Sequence, residues 1–333
     1  MKTLKISVII LLMSLVACKS YVKKTVATQV VKEVSYQMET AKTYAELSIK
    51  EGGFWKGREY LGGSFKNVNE LKVPAEHTDH SWFIRYEGPG WESNKVGYRM
   101  YLDWRNCIDI FGKLTDEMIL TKVGQDGFDS YHEPADWGMD ILKVGKGLGI
   151  GAIGRYSNKE VLHFNKVDST YAKVENKLDK SSVTVDYYGW KTAEDKINFT
   201  SVLTISPDQR YTKHTIKASK EIEGICTGIV KHKANYFSKE SPNKKWGYIA
   251  TYGVQTLIPD KLGMAIFYEV TTVKEVTEWE HDHLLIFKPS TDEISFYLLG
   301  AWEQEKDGIK TEAEFLNYLD NILMELNKNN TLK

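Results

Sequence analysis

Phe199-Thr-Ser-Val-Leu-Thr-Ile-Ser-Pro-Asp-Gln-Arg-Tyr-Thr-Lys-His-Thr-Ile-Lys-Ala218 is two runs of period two joined at Ser206-Pro-Asp208. Alternation of that kind puts successive side chains on opposite faces of a strand, and the proline marks the turn between strands. The reading extends outward to 82–86, 97–105, 160–165, 170–175 and 183–190 upstream. Downstream it covers 227–234, 246–252, 264–270, 283–287 and 294–299, with Pro289-Ser-Thr-Asp292 as a further turn. Many short strands without alternating helices predict an all-β fold, a large antiparallel β-sandwich. One helix is predicted at the C-terminus. Thr311 caps it, Glu314 follows three residues on, and Phe315, Leu316, Leu319, Ile322, Leu323 and Leu326 form its apolar stripe. No linker divides the chain, so residues 51–333 are expected to form a single catalytic domain.

The N-terminus sets the compartment. Lys2 and Lys5 precede an apolar run over 6–16, and Leu15-Val-Ala-Cys18 closes it. This is the pattern of a bacterial lipoprotein signal peptide, with residues 1–17 removed and the lipid on Cys18. The run falls short of the roughly twenty residues that span a bilayer. Residues 18–50 read as a tether, polar at first and weakly helical through 40–50. No acidic run follows Cys18, so the expectation is a lipid-anchored protein of the outer membrane or periplasm, facing the periplasm.

Composition narrows the partners. Lys and Arg number 44 against 45 Asp and Glu, so no basic field points to nucleic acid. Nine Trp, nineteen Tyr and twelve Phe supply either core rings or platforms for sugar faces. Cys107 and Cys226 remain after lipidation, and spacing leaves their pairing open. The run Gly145-Lys-Gly-Leu-Gly-Ile-Gly-Ala-Ile-Gly154 lacks the ending of a nucleotide loop and reads as bent or closely packed backbone. Nothing in the sequence sets the oligomeric state.

Two segments carry candidate chemistry. In the first, Glu76-His-Thr-Asp-His80 leads through Trp91-Glu92 to Tyr98-Arg-Met-Tyr-Leu-Asp-Trp-Arg105. On a strand, Arg99, Tyr101, Asp103 and Arg105 share one face and Tyr98 the other. That polar face either meets water or floors a cleft for an anionic ligand, with Arg99 and Arg105 as carboxylate clamps. In the second, Tyr131-His-Glu-Pro-Ala-Asp-Trp-Gly-Met-Asp140 places His132, Asp140 and then Lys143 in a loop entering a short strand. A histidine there can act as general base or acid. His232 is a second candidate base on a strand. His281 with His283, and His77 with His80, are weak candidates for a divalent metal, although none completes a ligand set.

At the same two segments the chain resembles a β-sandwich family of polysaccharide-utilising bacteria, long filed as of unknown function. Trp91-Glu-Ser-Asn with Val96-Gly-Tyr-Arg-Met-Tyr101, Tyr131-His132 with Gly138-Met-Asp140, Lys143-Val-Gly145 and Thr227-Gly-Ile-Val-Lys-His232 carry the likeness. Some members are oligosaccharide dehydratases in the breakdown of ulvan, a carboxylated and sulfated polysaccharide. The resemblance implies loss of water across C4 and C5 of a non-reducing-end uronic acid. It assigns proton transfer to His132 with Tyr98 or Tyr101, and His232 as a rival base. Lys143 and Asp140 then orient the site, and Arg99, Arg105, Trp91 and Glu92 bind the sugar. The alternatives are a polysaccharide lyase, an epimerase or mutarotase, and a non-catalytic sugar-binding lipoprotein.

Overall fold

The computed structural model describes residues 41–126 and 130–332. The signal peptide, Cys18 and the tether up to residue 40 lie outside the described residues. The described chain opens with β1 (Thr43–Glu46), a hairpin of β2 (Ser48–Lys56) and β3 (Glu59–Asn67), and β4 (Glu70–Lys72). Next come β5 (Gly90–Ser93), β6 (Val96–Met100), β7 (Ile108–Lys113) and β8 (Gly138–Asp140), which join β1 in a five-stranded sheet ordered β1-β5-β6-β7-β8.

Then follow β9 (Ile150–Ser157), β10 (Glu160–Leu162), β11 (Ser169–Asn176), β12 (Ser181–Thr192), β13 (Asp195–Ile205), β14 (Tyr211–Ala218) and β15 (Ile225–Val230). The last strands are β16 (Asn235–Glu240), β17 (Trp246–Val254), β18 (Lys261–Glu269), β19 (Val273–Glu278), β20 (Asp282–Phe287) and β21 (Ile294–Trp302). A second five-stranded sheet runs β10-β9-β15-β20-β19, and a nine-stranded sheet runs β16-β17-β18-β21-β14-β13-β12-β11-β4. All pairings within these sheets are antiparallel.

The nine-stranded sheet is one layer, and the two smaller sheets together make the other. A single apolar core takes Trp91, Tyr98 and Ile110 from the first sheet and Ile150, Ile229 and Leu285 from the second. Val185, Leu203, Ile266 and Leu298 come from the nine-stranded layer. The two small sheets meet at a parallel bridge between Ile108 and Gly149. Here the glycine-rich run earns its composition: Gly149 has φ 73°, and a Cβ on it would fall 1.9 Å from the Ile108 carbonyl oxygen. The helix α1 (Glu312–Asn329) covers the other face of the nine-stranded sheet. Thr311 and Glu314 form its capping box, and Phe315, Leu319, Ile322, Leu323 and Leu326 are buried as the stripe predicts.

Four expectations need correction. The strand read over 97–105 ends at Met100, and Asp103 to Arg105 lie in a turn beyond it. Residues 43–50 are not a weakly helical tether: Thr43 to Glu46 pair with β5, and β2 begins at Ser48. Cross-strand pairing overrides a weak local pattern. Residues 82–86 are not a strand. Trp82 and Tyr86 have φ of 62° and 41°, and Arg85–Glu87 is a 3-10 turn. His232 lies beyond the end of β15 rather than on it. Cys107 and Cys226, whose pairing spacing left open, are both buried as free thiols.

Gly149→Ala should cost about 1–3 kcal/mol from φ alone, and more from the carbonyl clash. Urea unfolding followed by tryptophan fluorescence would measure it.

Candidate active site

The strand period explains how charge comes to be buried on the outer face of the first sheet. Inward positions hold Ala45, Trp91, Tyr98, Ile108, Ile110 and Met139. Outward positions therefore hold Glu46, Glu92, Arg99, Asp109, Lys113 and Asp140, and every one of them is buried. The 80–87 segment, the turn at 117–123 and the loop leading to β8 pack over them, adding Tyr86, Leu120 and Tyr131. Charges removed from water must be paired there.

Three ionic clusters satisfy that demand. Glu46 pairs with Arg85 and accepts a hydrogen bond from the Tyr86 hydroxyl at 2.7 Å. Glu92 pairs with Lys113 Nζ at 2.7 Å and accepts the backbone N–H groups of Ile119 and Leu120. The third surrounds Arg99, which is 2% exposed. Its Nη2 donates to Asp109 Oδ2 at 2.9 Å, Asp140 Oδ2 at 2.6 Å and the Tyr101 hydroxyl at 2.9 Å. Its Nη1 donates to the Tyr131 hydroxyl at 2.8 Å. Arg99 stands directly opposite Asp109 in the β6–β7 ladder, and Asp140 is opposite Phe111 on the next strand.

Only the third cluster reaches outward through an imidazole. His132 closes the 3-10 turn Ser130–His132, its side chain is 33% exposed, and its Nε2 lies 3.3 Å from Asp140 Oδ2. Hydrogen bonding to Asp140 holds its pKa above the ordinary 6.5, against the opposing effect of burial. Burial, with Asp140 alongside, pushes Asp109 up to about 7, and the Tyr101 hydroxyl donates to it at 2.7 Å. Burial also raises Tyr101 and Tyr131, so both phenols stay protonated at neutral pH. Two buried polar atoms, Arg99 Nε and Asp140 Oδ1, lack a hydrogen-bond partner.

A cavity of about 410 Å³, within the range of small-molecule sites, reaches the cluster through Glu87, while Arg99, Tyr101, Asp109, His132 and Asp140 lie outside its lining. Lys50, His80, Trp82, Tyr86 and Glu87 help line it. Glu87 joins cavity to cluster: its carboxylate is 3.8 Å from Arg99 and 2.8 Å from Arg105. Burial would raise its pKa, but those two guanidinium groups outweigh burial and hold it low. His80, Trp82, Tyr86 and Glu87 all have φ between 41° and 70°. Left-handed backbone at non-glycine residues costs energy and gathers at functional sites.

The predicted residues divide accordingly. Arg99, Tyr101, His132 and Asp140 come together. Arg105 stacks on the Tyr101 ring at 4.1 Å but is already spent on Asp103 and Glu87, so neither arginine is an open carboxylate clamp. Tyr98 faces the opposite side, where its hydroxyl donates to the Arg210 carbonyl and accepts from Gly300 N–H. Trp91 stacks on Tyr98 in the core and donates to Thr212, and Glu92 is sealed against Lys113. Lys143 is exposed, and His232 bonds to its backbone with a pKa lowered by burial.

The proposed metal histidines are separate. His77 bonds to Ser81, His80 lies near Asp79, His281 near Glu280, and His283 near Glu278 while stacking on Tyr236. Among the described residues, no group of three or more His, Cys, Asp or Glu is placed to hold a metal ion. Glu87, Asp109 and Tyr131 were not singled out in the sequence. The signal for Asp109 was a carboxylate alternating with the apolar Ile108 and Ile110.

Fold and site together define a β-sandwich carrying a buried acid–base cluster beside a polar cavity. The chain belongs to the family described as a domain of unknown function, DUF4861, which matches it over residues 10–331. No curated protein matches it. Among solved structures it is similar to a putative kojibiose phosphorylase from the human microbiome, at 12% identity and a TM-score of 0.39. That match covers 71% of this chain and 32% of the other. A 4-alpha-glucanotransferase from Thermococcus litoralis matches at 10% identity and a TM-score of 0.31, covering 69% of this chain and 41% of the other. A TPR-domain containing protein from Parabacteroides distasonis matches at 7% identity and a TM-score of 0.32, covering 78% and 54%. The chain thus spans between a third and about half of these structures.

Arg99→Leu should destabilise the protein by about 3–5 kcal/mol, because two buried carboxylates lose their counter-ion. With Asp109 titrating near 7, the loss should be larger at pH 8 than at pH 5, as urea unfolding at both values would show.

Proposed function

We propose that the protein is an oligosaccharide dehydratase that removes water across C4 and C5 of a non-reducing-end uronic acid, in ulvan or a similar acidic polysaccharide. The observation that carries this reading is His132, a partly exposed imidazole held on the buried Asp140 of an otherwise closed ionic cluster. A general base needs a fixed tautomer and a pKa near the working pH. With Nε2–H directed at Asp140, the neutral ring carries its lone pair on Nδ1, which takes the C5 proton. The C4–O bond then breaks, and the departing hydroxyl takes a proton from Tyr101 and leaves as water. Asp109, raised to about 7, acts in its protonated form and passes its proton to Tyr101 as the phenol gives its own to the leaving group; His132 then releases the C5 proton to water and Asp109 regains one.

The acid sugar's charge must be offset for C5–H to be lost. Arg99 is committed to Asp109 and Asp140, so this role moves to Lys50 on the cavity wall. Arg99 instead sets the electrostatics of the two phenols and of Asp140. The product is a 4,5-unsaturated uronosyl end. The lipoprotein signal read at Cys18 supports a membrane-anchored enzyme facing the periplasm, where such fragments would arrive. A lyase would use the same base with a glycosidic oxygen as leaving group.

Incubation with saturated ulvan oligosaccharides should produce the ultraviolet band of a conjugated enoate and a mass loss of one water without chain cleavage. Cleavage would mark a lyase, and the absence of any band would refute both. His132→Ala should lower kcat/KM by about 10²- to 10⁴-fold. The rising limb of kcat/KM against pH should have its midpoint above 6.5. Asp140→Asn removes the charge that stabilises the imidazolium, so the limb should move to lower pH.

A further inference from the structure

A second cavity, of about 540 Å³, lies among Trp104, Arg105, the 145–147 backbone, the β9–β10 turn and the 279–281 segment. None of the residues lining it lines the first cavity, yet Arg105 on its wall is the partner of Glu87 in the first. Two indoles stand in its lining. Trp104 is 45% exposed, a costly position for a ring of that size, and rests edge-on against His163 with centroids 5.9 Å apart. Trp279 is half-buried, and its Nε1–H donates at 2.7 Å to Asp282 Oδ2. Asp282 is itself fully buried and accepts Leu148 N–H, so the Trp279 ring is held in a fixed orientation before any ligand arrives.

The floor and rim complete the description. Gly147 brings bare backbone to the floor, where a Cβ would meet Asp282 Oδ1 at 2.7 Å. Asn158 and Lys159, with φ of 53° and 66°, make a tight turn that presents Lys159 and Glu160 at the rim. Lys146 and Glu280 stand at the rim as well. The two lysines balance the two glutamates, and Arg105 is already neutralised by Asp103 and Glu87. Aromatic faces with donors and acceptors around them suit the apolar face and hydroxyl edge of a pyranose. The absence of surplus positive charge disfavours a sulfated one.

We infer that this cavity is a saccharide-binding subsite for neutral pyranose units, distinct from the His132 cluster. It stands whether or not His132 moves a proton.

The test is an NMR titration of the indole N–H resonances of the full chain with cellotetraose, xylotetraose, L-rhamnose and a sulfated ulvan tetrasaccharide. The Trp104 and Trp279 signals should shift with a neutral saccharide. Trp104→Ala should weaken that binding about tenfold or more, and Lys159→Ala, at an exposed turn, should weaken it to a lesser degree. Failure of both indoles to shift with any probe would overturn the inference. So would affinity unchanged in Trp104→Ala and Lys159→Ala, or binding confined to the sulfated probe. Enoate formation followed in the same samples separates the two readings. Binding without dehydration keeps the subsite and removes the dehydratase, and dehydration without indole shifts does the reverse.

Discussion

The site depends on one guanidinium. Arg99 lies on the outer face of a sheet whose inner face is the main core, and it binds Asp109 and Asp140 at once. Removing that cation would leave carboxylates buried without charge compensation, a state proteins avoid by unfolding or by protonation. The same cation fixes the hydroxyls of Tyr101 and Tyr131, so two phenols, two carboxylates and one imidazole are organised by a single side chain. Its neighbours on the sheet, Glu46 with Arg85 and Glu92 with Lys113, solve the same burial problem without a titrating group that faces outward.

That arrangement separates two roles which a linear reading merges. Arginines near an acidic sugar's expected position look like clamps, because a free guanidinium matches a carboxylate. Here both arginines already hold carboxylates of the protein. Their contribution is to tune the groups around them. Strained backbone from His80 to Glu87 forms part of the cavity wall, consistent with a segment shaped for binding rather than for stability.

How much was legible in the sequence follows from burial. Strands with one face in the core and one toward solvent, such as β12, β13 and β14, alternate clearly and were readable from period alone. Strands β5, β7 and β8 are buried on both faces, so polar residues such as Asp109 and Lys113 sit inside and the alternation no longer marks an exterior. The hairpin β2–β3 is largely exposed and rich in glycine, which hides it for the opposite reason. The alternation read through 97–105 put Arg99 and Tyr101 together although β6 ends at Met100, but it could not say that Arg99 would meet Asp140 from a strand about forty residues later. Tyr98 fell to the wrong side of that line only as a candidate, since the same phase had already set it apart from Arg99.

The two unpaired thiols have a consequence for how the molecule is made. Cys107 and Cys226 are sealed in the interior, where burial drives both well away from the reactive thiolate form. The fold of the described residues is therefore held without a disulfide between them. Its native shape should be reached equally well in a reducing or an oxidising medium.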